Sequence, residues 1–151
     1  MSETQHEQMK LENQLCFPLY ACSREVIKKY RPYLDAIGLT YTQYVAMMVF
    51  WEEDAISVKE LGRRLYLDSG TLTPVLKSLE QKGCISRRRS EADERVLIAA
   101  LTPDGRALQK KAAGIPQKIG GCLRMDPEEA IVLHRLLCRL LQTMKPQDER
   151  T

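Results

Sequence analysis

The sequence predicts a mainly α-helical fold with a small β wing, a winged helix-turn-helix. Three observations carry that expectation. Residues 67–101 read as a short polar lead, an amphipathic helix, a glycine stop and two short strands around a charged tip. Two capping boxes, Thr40-Tyr-Thr-Gln43 and Ser57-Val-Lys-Glu60, open helices just upstream. A basic run, Lys82 with Arg87, Arg88 and Arg89, falls within eight residues that contain no acid, a charge pattern that attracts phosphate.

Taken in order, residues 1–10 are polar and expected to fray. Leu11, Leu15, Leu19, Cys22, Val26 and Tyr30 step mostly by three and four, which predicts a helix from 11 to about 31. Pro18 lies inside it, removing one backbone hydrogen bond and kinking it near 14–18. Pro32 and Gly38 then break the pattern. Thr40 opens a helix through Tyr44, Val45, Met48, Val49 and Trp51, and Ser57 opens a short one holding Val58, Leu61 and Leu65.

Asp68 or Ser69 caps the next helix. Its apolar stripe is Leu72, Val75, Leu76 and Leu79, with Thr71, Thr73, Lys77 and Ser78 left outside. Two short helices joined by a tight turn, the second bearing Ser/Thr at its start, form a helix-turn-helix pattern. Gly83 supplies the positive φ that ends a helix. Cys84–Arg88 and Val96–Ala100 follow as strands around Ser-Glu-Ala-Asp-Glu. Such a helix with an arginine-tipped hairpin suits duplex DNA. Thr102-Pro103 starts a helix bent near Pro116. Asp126-Pro127-Glu128-Glu129 starts the last, with Ala130, Leu133, Leu137, Leu140, Leu141 and Met144 on one side.

The totals suit one domain over residues 1–151, with 44% hydrophobic and 28% charged residues. Two Phe and one Trp leave the core to Leu, Ile, Val and Met. A net charge of +3 is too modest for a structural coat on DNA. No apolar run reaches the roughly 18 residues of a bilayer span, and the N-terminus lacks a signal-peptide core, so the expected location is cytoplasmic. Five cysteines at irregular spacing, with no C-x-x-C pair and only His6 and His134, suit neither a disulfide framework nor a zinc site. No cofactor is expected. The long helices at 11–37 and 103–144 flank the module at 40–101 and are expected to dimerise it. A two-fold dimer then sets two reading helices roughly 34 Å apart, matching a pseudo-palindromic operator.

From about residue 10 to 144 the chain resembles the MarR-type winged-helix regulators, in their organic-hydroperoxide-sensing OhrR-like branch. The resemblance rests on LENQLCFPLYACSRE (11–25), Leu39-Thr-Tyr-Thr-Gln-Tyr44, residues 65–83, and Asp93-Glu-Arg95 through Leu101-Thr102. It implies a dimeric repressor of a hydroperoxide-detoxifying gene that releases DNA when one N-terminal cysteine is oxidised. The matching residue is Cys16, and the matching thiolate donors are Tyr30 and Tyr41, contributed largely by the partner subunit. It is the thiolate that attacks peroxide.

Two-cysteine members resolve the sulfenic acid with a C-terminal thiol reached across the dimer. Cys122, in Gly120-Gly-Cys122 between two helices, falls in the matching place; a small-molecule thiol is the alternative. Cys22 is about 9 Å along the helix from Cys16, beyond the ~7 Å Cα limit of a disulfide. Cys84 and Cys138 read as packing. The resemblance also sets Ser69, Thr71, Thr73 and Lys77 at the major groove and Arg95, braced by Asp93, at the minor groove. Arg87, Arg88 and Arg89 are then phosphate contacts, some of them turned away. Pro18 departs from the family pattern. The rival reading is a MarR-type regulator that answers a small phenolic ligand without cysteine chemistry. A thiol peroxidase would need a βαβ order that is missing, so no enzyme is expected.

Overall fold

Ser2 starts the chain with order rather than fraying: its hydroxyl accepts the Gln5 N–H and caps α1 (Glu3–Gln8). The computed structural model describes residues 1–144. The end of the expected single domain, 145–151, lies outside the described residues. After a 3₁₀ turn at Leu11–Asn13, Gln14 is extended, and α2 runs from Cys16 to Asp35. Both proline expectations change here. Pro18 is in the first turn of α2, where backbone N–H groups have no intrahelical acceptor, so it removes no hydrogen bond. The break falls at Gln14, inside the expected 14–18 window, and has a different cause: the backbone is extended there, ahead of the first turn of α2. Pro32 lies inside the helix, which continues past it to Asp35. Gly38, at φ 71, makes the turn.

Thr40 caps α3 (Tyr41–Glu52) with both halves of its box made. This helix supplies much of the core through Tyr44, Ala46, Met47, Val49 and Phe50. Next comes β1 (Ala55–Ser57), unforeseen because Ser57 reads as a helix cap; it serves as both strand end and cap. α4 (Val58–Leu65) turns at Tyr66 into α5 (Ser69–Gln81), capped by Asp68. A Cβ on Gly62 would come within 2.8 Å of the Leu67 carbonyl, which is why the turn between α4 and α5 is so tight.

β2 (Ile85–Arg89) and β3 (Leu97–Leu101) begin one residue later than expected. With β1 they form an antiparallel sheet in the order β1-β3-β2, pairing Arg87 with Ala99. Leu61, Leu72, Leu76, Leu79 and Ile85 close the core beneath α5. The fold is thus mainly helical with a small β wing, as the sequence predicts.

Thr102 caps α6 (Pro103–Ala112), and a break at Ala113–Gly114 separates it from α7 (Ile115–Leu123). Pro116 therefore opens α7 instead of bending one longer helix. α7 packs on α2. α8 (Pro127–Thr143), capped by Asp126, buries no residue.

Candidate nucleic-acid interface and thiol sites

Asp68 sets the reading end of α5. Its carboxylate accepts the Thr71 N–H at 2.8 Å and the Thr71 hydroxyl at 3.2 Å. Those bonds hold the carboxyl below its ordinary range. Leu72, Leu76 and Leu79 are buried, and the four expected groove residues, Ser69, Thr71, Thr73 and Lys77, are each exposed. Thr73 donates its hydroxyl to the Ser69 carbonyl at 2.7 Å. Ser78 departs from expectation. It is half-buried and accepts from the Gln43 side chain at 2.9 Å.

On the wing, Arg95 projects with 90% of its side chain exposed, and its guanidinium donates to both Asp93 oxygens at 3.0 and 3.2 Å. That is the expected brace. Arg88 and Arg89 are exposed as well. Arg87 is not a free phosphate contact. Strand alternation turns it to the inner face, where it donates to Glu80 of α5 at 2.8 Å. Its backbone N–H binds the same carboxylate. The pairing holds Glu80 below the usual carboxylate range. Arg87 therefore bolts the wing to the reading helix.

Cys16 is the first residue of α2 and is exposed, flanked by the exposed Leu15 and Phe17. Tyr30 and Tyr41 do meet: their ring centroids lie 4.9 Å apart in an edge contact, with Tyr44 behind them. Burial, then the neighbouring phenols, push the Tyr30 hydroxyl up, and burial does the same for Tyr41. Both rings thus keep their protons. Neither hydroxyl has a hydrogen-bond partner among the described residues. Yet Cys16 and Tyr30 occupy opposite parts of one continuous helix, about 21 Å apart along its axis. A single chain does not bring thiol and phenols together.

Cys122 lies within α7 rather than between helices, and its sulfur is 3.9 Å from the Tyr33 hydroxyl of α2. Cys138 is half-buried beside His134, at 3.6 Å. Cys22 is exposed and Cys84 buried. The sequence reading missed Gln43 and Glu80 as connectors. The only signal for Gln43 was its place in the capping box. Among the described residues no cluster of three or more potential metal ligands occurs, and no helix is long and apolar enough to cross a membrane.

The profile of the SarA/Rot transcriptional regulators matches residues 24–112. The chain is 50% identical over 142 residues to the organic hydroperoxide resistance transcriptional regulator of Bacillus subtilis (strain 168), covering 94% of this chain and 97% of that protein. Among solved structures it is similar to AbfR of Staphylococcus epidermidis. Reduced AbfR bound to DNA superposes with a TM-score of 0.75 at 38% identity, over 95% of this chain and 100% of that one. The disulfide form of AbfR gives 0.60 at 39% identity, over 96% and 97%.

Proposed function

The chain belongs to the MarR- and SarA/Rot-type winged-helix transcriptional regulators, in the organic-hydroperoxide branch, and from that premise we propose a redox-sensing repressor. It binds a pseudo-palindromic operator as a homodimer and releases it when an organic hydroperoxide oxidises Cys16. As a regulator of transcription it works on DNA in the cytoplasm and is not an enzyme.

The observation that carries this reading is the separation of Cys16 from the Tyr30–Tyr41 pair along α2. The two parts of the sensor meet only if a second chain lays its α2 alongside, so sensing and dimerisation become one structural event. In that dimer, free phenolic O–H groups face an exposed thiol, and O–H donors stabilise a thiolate. The thiolate sulfur attacks the outer peroxide oxygen. The O–O bond breaks, the alkoxide leaves and takes up the proton that the thiol had released, and sulfur loses two electrons and keeps the terminal OH as a sulfenic acid. The thiol of Cys122 on the other subunit then attacks that sulfur, expelling water and forming a disulfide. The disulfide form of AbfR supports such a step here. A small-molecule thiol can replace Cys122.

On the DNA side, Ser69, Thr71, Thr73 and Lys77 read the major groove. Arg95 enters the minor groove held by Asp93, and Arg88 and Arg89 hold phosphates.

Fluorescence anisotropy on operator DNA tests the whole reading. Reduced wild type should bind, and cumene hydroperoxide should release it. Cys16→Ser should bind and stay bound. Wild type that keeps its grip after oxidation, or Cys16→Ser that lets go, sinks the sensor role. Cys122→Ser should lose the peroxide-induced dimer band on a non-reducing gel; an unchanged band rules out Cys122 as the resolving thiol.

A further inference from the structure

We propose that Gln43 is the positioning residue through which the state of the tyrosine pair reaches the reading helix; this rests on the redox-release reading above. Gln43 is the one polar side chain in the core among the described residues, 6% exposed. Its amide makes three bonds to three different places. The carbonyl oxygen accepts the Thr40 N–H at 3.1 Å, closing the capping box at the start of α3. The same oxygen accepts from the Lys82 ammonium, at the end of α5, at 2.8 Å. The NH₂ donates to the Ser78 hydroxyl, on α5, at 2.9 Å. Lys82 also donates to the Gly38 carbonyl in the turn between α2 and α3.

A capping box needs only the first of these bonds. The other two reach α5, so the amide that shapes the first turn of α3 also locates the second half of the reading helix. Tyr41 stands in that same first turn, in ring contact with Tyr30. Displacing the tyrosines therefore strains Thr40 and Gln43 first. A buried amide has no water to fall back on, so its bonds are kept or lost together. The far side of the link is equally direct. Ser78 and Lys82 flank Glu80, the carboxylate that bolts Arg87 and the wing to α5. Moving the end of α5 moves both DNA-contacting elements at once. The chain of contacts runs from Tyr30 and Tyr41, through Thr40 and Gln43, to Ser78 and Lys82.

The experiment compares operator affinity for reduced and peroxide-treated protein, by anisotropy. The probe is a labelled duplex selected by the reduced protein from a random pool. Gln43→Met keeps volume and removes all three bonds. Ser78→Ala cuts one of the two links to α5 and leaves the capping box intact, which covers the case where Gln43→Met folds poorly. In each variant the reduced form should weaken towards the oxidised form, so the oxidised-to-reduced Kd ratio falls about tenfold or more for Gln43→Met. Cys16 should still be consumed by cumene hydroperoxide within about twofold of the wild-type rate, since the coupling acts after oxidation. Equal weakening of both redox states, with the ratio kept, means a purely structural role and overturns the proposal. So does an unchanged ratio in Ser78→Ala. Wild type that fails to release on oxidation overturns the release reading itself, a different failure.

Discussion

Cys84 is the cysteine that folding takes out of reach, between the end of α5 and the start of β2. Burial pushes its thiol up, against a smaller opposing pull from Lys82. Because the thiolate is the reactive form, Cys84 should be the last thiol alkylated by iodoacetamide in the native reduced protein. Cys16, Cys22 and Cys122, all exposed, should react first. Peptide mapping after timed quenching reads the order, and early label on Cys84 contradicts it. The arginines divide in the same way. Arg88→Ala should weaken binding to operator and random duplex alike and lower the salt slope by about 1, as loss of a phosphate contact does. Arg87→Ala should leave the salt slope unchanged, because its guanidinium is already spent on Glu80. Three consecutive arginines look identical as letters. Strand alternation, which the sequence already implies, and one acid from α5 separate them, and the acid is not visible until Glu80 is known to face the sheet.

Among the elements, α6 is anchored at its first turn. Thr102 donates its hydroxyl to the Gly83 carbonyl at 2.6 Å, and the Trp51 indole donates to the Gly105 carbonyl at 2.9 Å. A Cβ on Gly105 would run into the Cys84 carbonyl and come within 2.8 Å of Leu101. Backbone cannot yield as a side-chain tip can. Gly105→Ala should thus cost about 1–3 kcal/mol, read as a lower urea midpoint; an unchanged midpoint would show that α6 can shift freely. The caps at Thr40, Asp68, Thr102 and Asp126 were legible in the sequence because a cap is local, a hydroxyl or carboxylate two or three residues from its donor. Gly105 was not, since the atom it avoids lies in another element. Pro18 was misread for a related reason: proline's effect depends on where the helix starts, and periodicity alone ran that start back to Leu11. β1 was hidden by Ser57, which serves two elements. The four groove residues on α5 followed from its stripe, whereas the Gln43 link needed the packing of α3 on α5.

The described residues leave much apolar surface open, and one partner gives about 800 Å² to a standard interface. The location of that open surface is specific. α8 carries Ile131 at 68% exposure, with Leu133, Leu136, Leu140 and Leu141 also open. Leu15, Phe17 and Leu19 are open at the other end of the sequence. Apolar area on this scale is unfavourable in water and drives association. Both ends of the chain are therefore expected to lie in one two-fold interface. Leu136→Glu with Leu140→Glu puts charge where burial is needed, while touching neither the core nor the reading surface. Sedimentation should show a dimer for wild type and a monomer for the double variant. Near-native helical content by circular dichroism would separate dissociation from unfolding. The monomer should lose operator affinity by more than 100-fold, since two half-sites are no longer held together. It should also lose the peroxide sensitivity of Cys16, because Tyr30 and Tyr41 of a second chain no longer reach it. A monomeric variant whose Cys16 still reacts at the wild-type rate would show that the phenols are not what activates the thiol.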